Sequence, residues 1–284
     1  MIARFKWAIQ RSIEEYQKGG LPQLCRKIAN YFNWKFHNNR LYVQLYWILR
    51  GNLLLNSSNG YILTHLFSDK SYHFPELKYN HTFTKMYQKD RWETYFESEL
   101  FELEEDDIVI DVGAHIGVTS LLASKRASKV FAVEPSPRSL PYLRKNTENQ
   151  NNIEIIERAA WNEEGTMTLQ FGNATDDDSL IKPDDGGDGT VEEVRTDTLE
   201  NIIKETGMDE IDLVKIEAEG VEPEIAEGIR DANVQKVVST GNDERHGEEV
   251  HREVEKILND LGYNTIIDYD HRWNMVYGKK KTEY

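Results

Sequence analysis

Cysteine is nearly absent: Cys25 is the only one in 284 residues. This excludes an intrachain disulfide framework and any cysteine-rich zinc or iron–sulfur site. Positive charge is scarce as well. Lys and Arg number 34 against 50 Asp and Glu, a formal net charge of −16. A chain with that deficit makes a poor scaffold for nucleic acid held through phosphate contacts, so no nucleic-acid partner is expected. Long apolar runs are missing too. The longest, residues 41–49, contains Gln44 and falls far short of the roughly 20 residues a bilayer span needs. Glu14 and Glu15 interrupt any signal-peptide core, and the expected location is cytoplasmic. What is present suffices for a folded core: 39% of residues are hydrophobic and 11% aromatic. The length suits one catalytic domain with an appendage.

The charge is unevenly spread. Residues 1–50 hold nine basic residues against two acidic ones, a balance of +7, which leaves −23 on the rest. Ten aromatics share that segment. Phe5, Ile9, Ile13 and Tyr16 recur at helical spacing, and so do Leu24, Ile28, Tyr31 and Phe32 after a Gly-Gly-Leu-Pro break. Residues 1–50 therefore read as a basic, aromatic helical extension. It is either a peripheral contact with an anionic membrane or a helical cap docked on the main domain. Residues 51–95 read as a connecting or substrate-cap region, with a strand over 61–67 and three histidines (His65, His73, His81) lacking metal-ligand spacing.

The chemistry-bearing pattern begins at residue 108. Ile-Val-Ile-Asp-Val runs into Gly113-Ala114-His115-Ile116-Gly117 and then a helix face at Val118, Leu121 and Leu122. This is strand, glycine turn, helix, and the amides at such a helix start face an anion or polar ligand. A second buried strand, 129–133, ends in Glu134-Pro135, 21 residues after Gly113. A carboxylate at that strand end can accept both hydroxyls of a ribose. A nicotinamide dinucleotide would want Gly-x-Gly-x-x-Gly, but His115 breaks it, and no Gly-Lys-Ser/Thr follows for a phosphate loop. Asp111-x-Gly113-x-x-x-Gly117 instead resembles the first motif of class I S-adenosylmethionine-dependent methyltransferases.

Further on come Arg158-Ala159-Ala160-Trp161, Thr196-Asp197-Thr198-Leu199 and Lys215-Ile216-Glu217-Ala218-Glu219-Gly220-Val221-Glu222. With the two motifs above, this series resembles the FkbM family of methyltransferases over roughly residues 95–240. That family carries Val-Asp-Val-Gly-Ala-Asn-Ile-Gly, Phe-Glu-Pro, Thr-Leu-Asp-Asp and Lys-Ile-Asp-Val-Glu-Gly-Ala-Glu in this order. Three positions depart: His115 stands for Asn, Glu217 for Asp and Ala218 for Val. The longer Glu217 side chain moves its carboxylate by roughly 1.5 Å, one carbon–carbon bond.

The resemblance implies an α/β, Rossmann-like, seven-stranded class I methyltransferase sheet in residues 96–284, closed by a hairpin over 263–268 and 273–277. It implies S-adenosylmethionine as cofactor, lined by Asp111, Gly113, Ala114, His115, Gly117, Glu134, Pro135, Ser136 and Ala159, with no metal. Glu217, Glu219 and His115 are the candidate catalytic groups for a hydroxyl acceptor, which must lose a proton; a carboxylate acceptor needs no base. His246 is a further acceptor-side candidate, and the acidic stretch 176–189 reads as a solvated loop. The expected function is O-methylation of a sugar, at a hydroxyl or a uronic acid carboxyl. A sugar or lipid-linked glycan is the implied partner, and archaeal glycosylation is one setting the resemblance suggests; the acidic composition separately suits a salty cytoplasm. Methylation of another small metabolite, a non-catalytic binding protein on the same fold and a Rossmann oxidoreductase remain alternatives.

Overall fold

The computed structural model of the chain describes residues 40–48, 52–66, 70–181, 187, 189–241, 245, 249–269 and 273–281. The two helices expected before residue 33, and His246, lie outside them. Contacts divide the chain into two compact units, meeting at Thr84 and Lys85.

In the first unit, helix α1 (Arg40–Ile48) is followed by an antiparallel meander of β1 (Asn52–Ser57), β2 (Gly60–His65) and β3 (Ser71–Phe74), and a 3-10 helix (Leu77–Phe83). The strand expected over 61–67 is thus the middle of a three-stranded sheet and ends at His65. Aromatic pairs hold it: Tyr72 stacks on Phe83 at 4.3 Å and Tyr61 on Phe74 at 5.9 Å. Trp47 of α1 is buried and donates to Asn80 Oδ1 at 3.2 Å.

The second unit begins with α2 (Lys85–Phe96) and continues through β4 (Ile108–Val112), α3 (Val118–Ala123), β5 (Lys129–Val133), α4 (Leu140–Thr147) and β6 (Ile153–Ile156). Then come β7 (Ala159–Trp161), β8 (Gly165–Gln170), β9 (Val191–Thr198), α5 (Leu199–Thr206), β10 (Ile211–Ile216) and α6 (Glu222–Glu227). The unit closes with β11 (Val234–Ser239), α7 (Val250–Asp260), β12 (Tyr263–Asp268) and β13 (Met275–Lys280). The closing hairpin is where the sequence implies it, with its second strand starting two residues later and reaching Lys280.

Seven strands form one sheet in the order β12-β13-β11-β10-β4-β5-β6. β4 pairs in parallel with β5 and β10, whereas β13 runs antiparallel to both its neighbours. The central strands are near-continuous apolar runs, as expected of parallel strands buried on both faces. Val109, Ile110, Leu213, Val214, Val237 and Val238 are all fully buried. Helices cover those faces with single apolar stripes. In α7 the buried residues are Val250, His251, Val254 and Leu258. In α5, the Thr198 side chain caps the N-terminus by accepting from Asn201 N–H, and Gly207 at φ 72° ends the helix in the left-handed region. A smaller sheet, β7-β9-β8, lies outside the main one in strand pairing.

Candidate active site

β4 leads to β5 and β6 on one side of the sheet, while β10 and β11 fill the other. The strand order therefore reverses between β4 and β10, and the crevice outside their carboxyl ends is where an open α/β sheet takes its ligand. Backbone strain gathers at this same edge. The non-glycine residues with positive φ are His115 after β4 (50°), Glu219 after β10 (51°) and Asn274 before the antiparallel β13 (44°), among the described residues. Each such conformation costs about 1–3 kcal/mol and persists only where the surroundings impose it.

The glycine turn is as tight as its sequence suggests. Gly113 has φ 74°, and a Cβ there would lie 1.7 Å from the carbonyl oxygen of Glu217. The turns after β4 and β10 are therefore in backbone contact. Gly117, at φ 89°, precedes α3 and lies against Leu143. Ala114 is buried beside it, and the amides of Gly113 and Ala114 both donate to Val133 O.

Glu134 sits at the end of β5. Its Oε2 accepts the His115 amide at 2.7 Å and its Oε1 the Ser136 amide at 2.8 Å. Burial raises its pKa to about 7, against the pull of those two amides. Two lone-pair sites are thus taken by backbone donors, which fixes the orientation of the carboxylate. Ser136 Oγ donates to Asp178 Oδ2 at 2.6 Å, and Pro135 lies between these two anchors.

Asp111 is buried in β4, with Oδ2 accepting from Ser120 Oγ at 2.6 Å and Oδ1 2.9 Å from Lys215 Nζ. Both oxygens are engaged inside the protein, so Asp111 braces the turn from beneath. Lys215 also donates to the Val112 and Gly113 carbonyls at 3.1 and 2.9 Å. Burial opposes its charge, but Asp111 and Glu217 more than offset this and its pKa is raised.

Glu217 faces two cations. Arg91 Nη1 approaches its oxygens at 2.9 and 3.0 Å and Lys215 Nζ lies at 3.4 Å. Burial alone would raise its pKa; Arg91, then Lys215, pull it down to about 2. A carboxylate held that low is a weak proton acceptor at neutral pH. Arg91, at the far end of this pair, carries no signal in the local sequence, because its partner is 126 positions away.

One segment spans the crevice edge. Thr175 Oγ1 shares a hydrogen bond with His115 Nε2 at 2.9 Å, and Ser179 Oγ donates to the Glu219 carbonyl at 2.7 Å. Asp178 between them pairs with Arg138. The acidic stretch read as solvated is therefore anchored in its first part: the Asp178 side chain is only 4% exposed, because Arg138 and Ser136 hold it. This segment links His115 to Glu219. Ala159 is buried in β7 of the smaller sheet, paired with Thr196.

An open parallel sheet closed by one antiparallel strand beside its edge, with its ligand crevice at the central switch point, is the class I methyltransferase fold. The cofactor of that class is S-adenosylmethionine, and a buried carboxylate with two fixed lone pairs still to fill suits its ribose. The sequence profile described as the methyltransferase FkbM domain matches residues 111–265, more than half of the chain, and the chain belongs to that family.

Among similar proteins, the methyltransferase sdnD of Sordaria araneosa is 21% identical over 203 residues, covering 60% of this chain and 78% of that one. The hexuronic acid methyltransferase AglP of Haloferax volcanii is 28% identical over 139 residues, covering 47% and 54%. Other curated relatives are matched over only 22% and 20% of their lengths. The crystal structure of methyltransferase FkbM from Methylobacillus flagellatus KT superposes with a TM-score of 0.45 at 17% identity, over 71% of this chain and 52% of that one. Among the described residues no helix is long and apolar enough to cross a membrane.

Proposed function

We propose that this chain is an S-adenosylmethionine-dependent O-methyltransferase whose acceptor is a sugar, free or carried on a glycan. The observation that carries the reading is Glu134, a buried carboxylate at the end of β5 pre-aimed by two backbone amides. S-adenosylmethionine supplies an electrophilic methyl group on a positively charged sulfur. Gly113 and Gly117, both at positive φ, shape the turn against which it would lie, with Ala114 buried between them; Pro135 and Ser136 bound the ribose end, and Asp111 and Ala159 support the site from below and beside it. The likeness to a hexuronic acid methyltransferase supports a sugar as acceptor. Residues 1–50 would serve this reaction either as a cap or as a membrane contact for a lipid-linked glycan.

For a hydroxyl acceptor a base is required. Glu217 is unsuited to that task, since Arg91 and Lys215 hold it at about 2. Glu219 and His115 remain as the groups at the crevice edge. A uronic acid carboxylate needs neither, because its oxygen takes the methyl group with no proton to remove.

The ribose assignment predicts a pH dependence. Two ribose hydroxyls and two amides together fill the four acceptor sites of an ionised carboxylate; protonation removes one. With its pKa raised to about 7, Glu134 binds ribose well above that value and poorly below it. The affinity for S-adenosylhomocysteine should rise up to about tenfold between pH 6 and pH 8. In the free protein the sign is opposite: the neutral form favours folding, and that contribution is lost as pH climbs through 7.

The reaction itself is tested with S-adenosylmethionine labelled in its methyl group, using methyl glucuronoside and methyl glucoside as acceptors. Label should appear in sugar. Cofactor binding with no transfer to either acceptor would refute sugar methylation and favour a non-catalytic role.

A further inference from the structure

Arg91 of α2 is a cation held on three sides. Its guanidinium lies 4.5 Å from the Trp273 ring, 5.1 Å from Tyr87 and 5.3 Å from Tyr95. Nε donates to Tyr87 Oη at 2.8 Å, and Nη1 serves Tyr95 Oη at 2.6 Å together with both Glu217 oxygens. Among the described residues Nη2 has no hydrogen-bond partner, and the side chain is 12% exposed. Burial opposes the charge, and Glu217 more than restores it.

The place of this guanidinium matters as much as its bonds. Glu134 lies on the β5 side of the central strand. Arg91 lies on the other side, bridging Glu217 after β10 and Trp273 before β13, whose carbonyl accepts the Gly241 amide after β11. If the ribose occupies the first position, the acceptor approaches from the second, and the transferred methyl group lies between them.

We propose that Arg91 is the specificity residue for the acceptor, taking the carboxylate of an anionic sugar on Nη2. The inference rests on the reading of the crevice as a sugar methyltransferase site. A guanidinium is planar, and carboxylates meet it in its plane through the N–H fork. Three rings crowd this one and Glu217 and the two tyrosines occupy Nε and Nη1, which leaves the Nη2 edge as the approach. The fixed charges nearby cancel: Arg91 and Lys215 stand against Asp111 and Glu217. An incoming carboxylate therefore meets no net repulsion and gains the Nη2 donors; a neutral sugar of the same shape gains no charge-assisted bond.

The test titrates the full chain, loaded with S-adenosylhomocysteine, with methyl glucuronoside and methyl glucoside. The wild-type complex should bind the uronoside on the order of ten- to a hundredfold more tightly, the worth of a charge-assisted hydrogen bond. Arg91→Gln should bring the two ligands to near-equal affinity, and Arg91→Lys, which keeps the charge opposite Glu217 but loses the Nη2 donors, should cut the preference severalfold. The affinity for S-adenosylhomocysteine should be unchanged in both, which separates a lost contact from a collapsed site. No preference in the wild type overturns the proposal, and so does a preference of wild-type size in either variant. A wild-type chain that binds no S-adenosylhomocysteine would instead refute the underlying methyltransferase reading.

Discussion

Gly113→Ala should abolish measurable cofactor binding and destabilise the fold by roughly 2–4 kcal/mol, the sum of backbone strain and overpacking. Two effects add. At φ 74° an alanine is strained by about 1 kcal/mol, the ordinary cost of a left-handed residue with a side chain. The methyl group would also stand 1.7 Å from the Glu217 carbonyl oxygen and 2.9 Å from its carbon. Backbone cannot swing aside as a side-chain tip can, so the β4 and β10 turns must separate, and Glu217 moves with them. Gly207→Ala is the internal control. Its φ is 72° with nothing within 4 Å, so it should lose only the conformational part. Urea denaturation of the two variants isolates the contact. If Gly113→Ala proves no worse than Gly207→Ala, the two turns are not in contact.

Lys215→Met should be comparably severe. The ammonium is 1% exposed and faces Asp111, Glu217 and two main-chain carbonyls. Removing one partner of a buried ion pair typically costs about 3–5 kcal/mol, because the remaining charge is left in a poor solvent. For a unit of this size that corresponds to a fall in Tm on the order of 10 °C. The Glu217 pKa, held at about 2 partly by Lys215, should rise. The variant's deficit should therefore shrink as pH is lowered, since protonating the stranded carboxylates relieves it. A thermal melt within a degree or two of wild type would contradict the ion cluster as drawn.

The sequence made the central half of this site legible and left the rest hidden, for identifiable reasons. β4, its glycine turn and Glu134 are consecutive in sequence or separated by one strand–helix unit, so spacing alone implies their juxtaposition. The closing hairpin was equally readable, being two apolar runs joined by a short loop. Arg91 was not. It lies in α2, whose charged and aromatic residues are mixed around the helix without a clean apolar face, and its function arises from contacts with Glu217 and Trp273. Asp178 misled for a similar reason. A run of aspartates and glycines reads as solvated, yet Arg138 draws one member under the surface. Glu217 looked like a base by residue type, and only its two cationic neighbours change that reading.

The central claim is that Glu134 receives the ribose of S-adenosylmethionine. Calorimetric titration of S-adenosylhomocysteine into wild-type protein and Glu134→Ala near pH 8 tests it most directly. The carboxylate is ionised there, given its pKa of about 7. Saturable binding to the wild type is expected, with an affinity lower by about one to two decades in the variant, equivalent to roughly 1–3 kcal/mol. Equal affinity in a folded Glu134→Ala protein would contradict it.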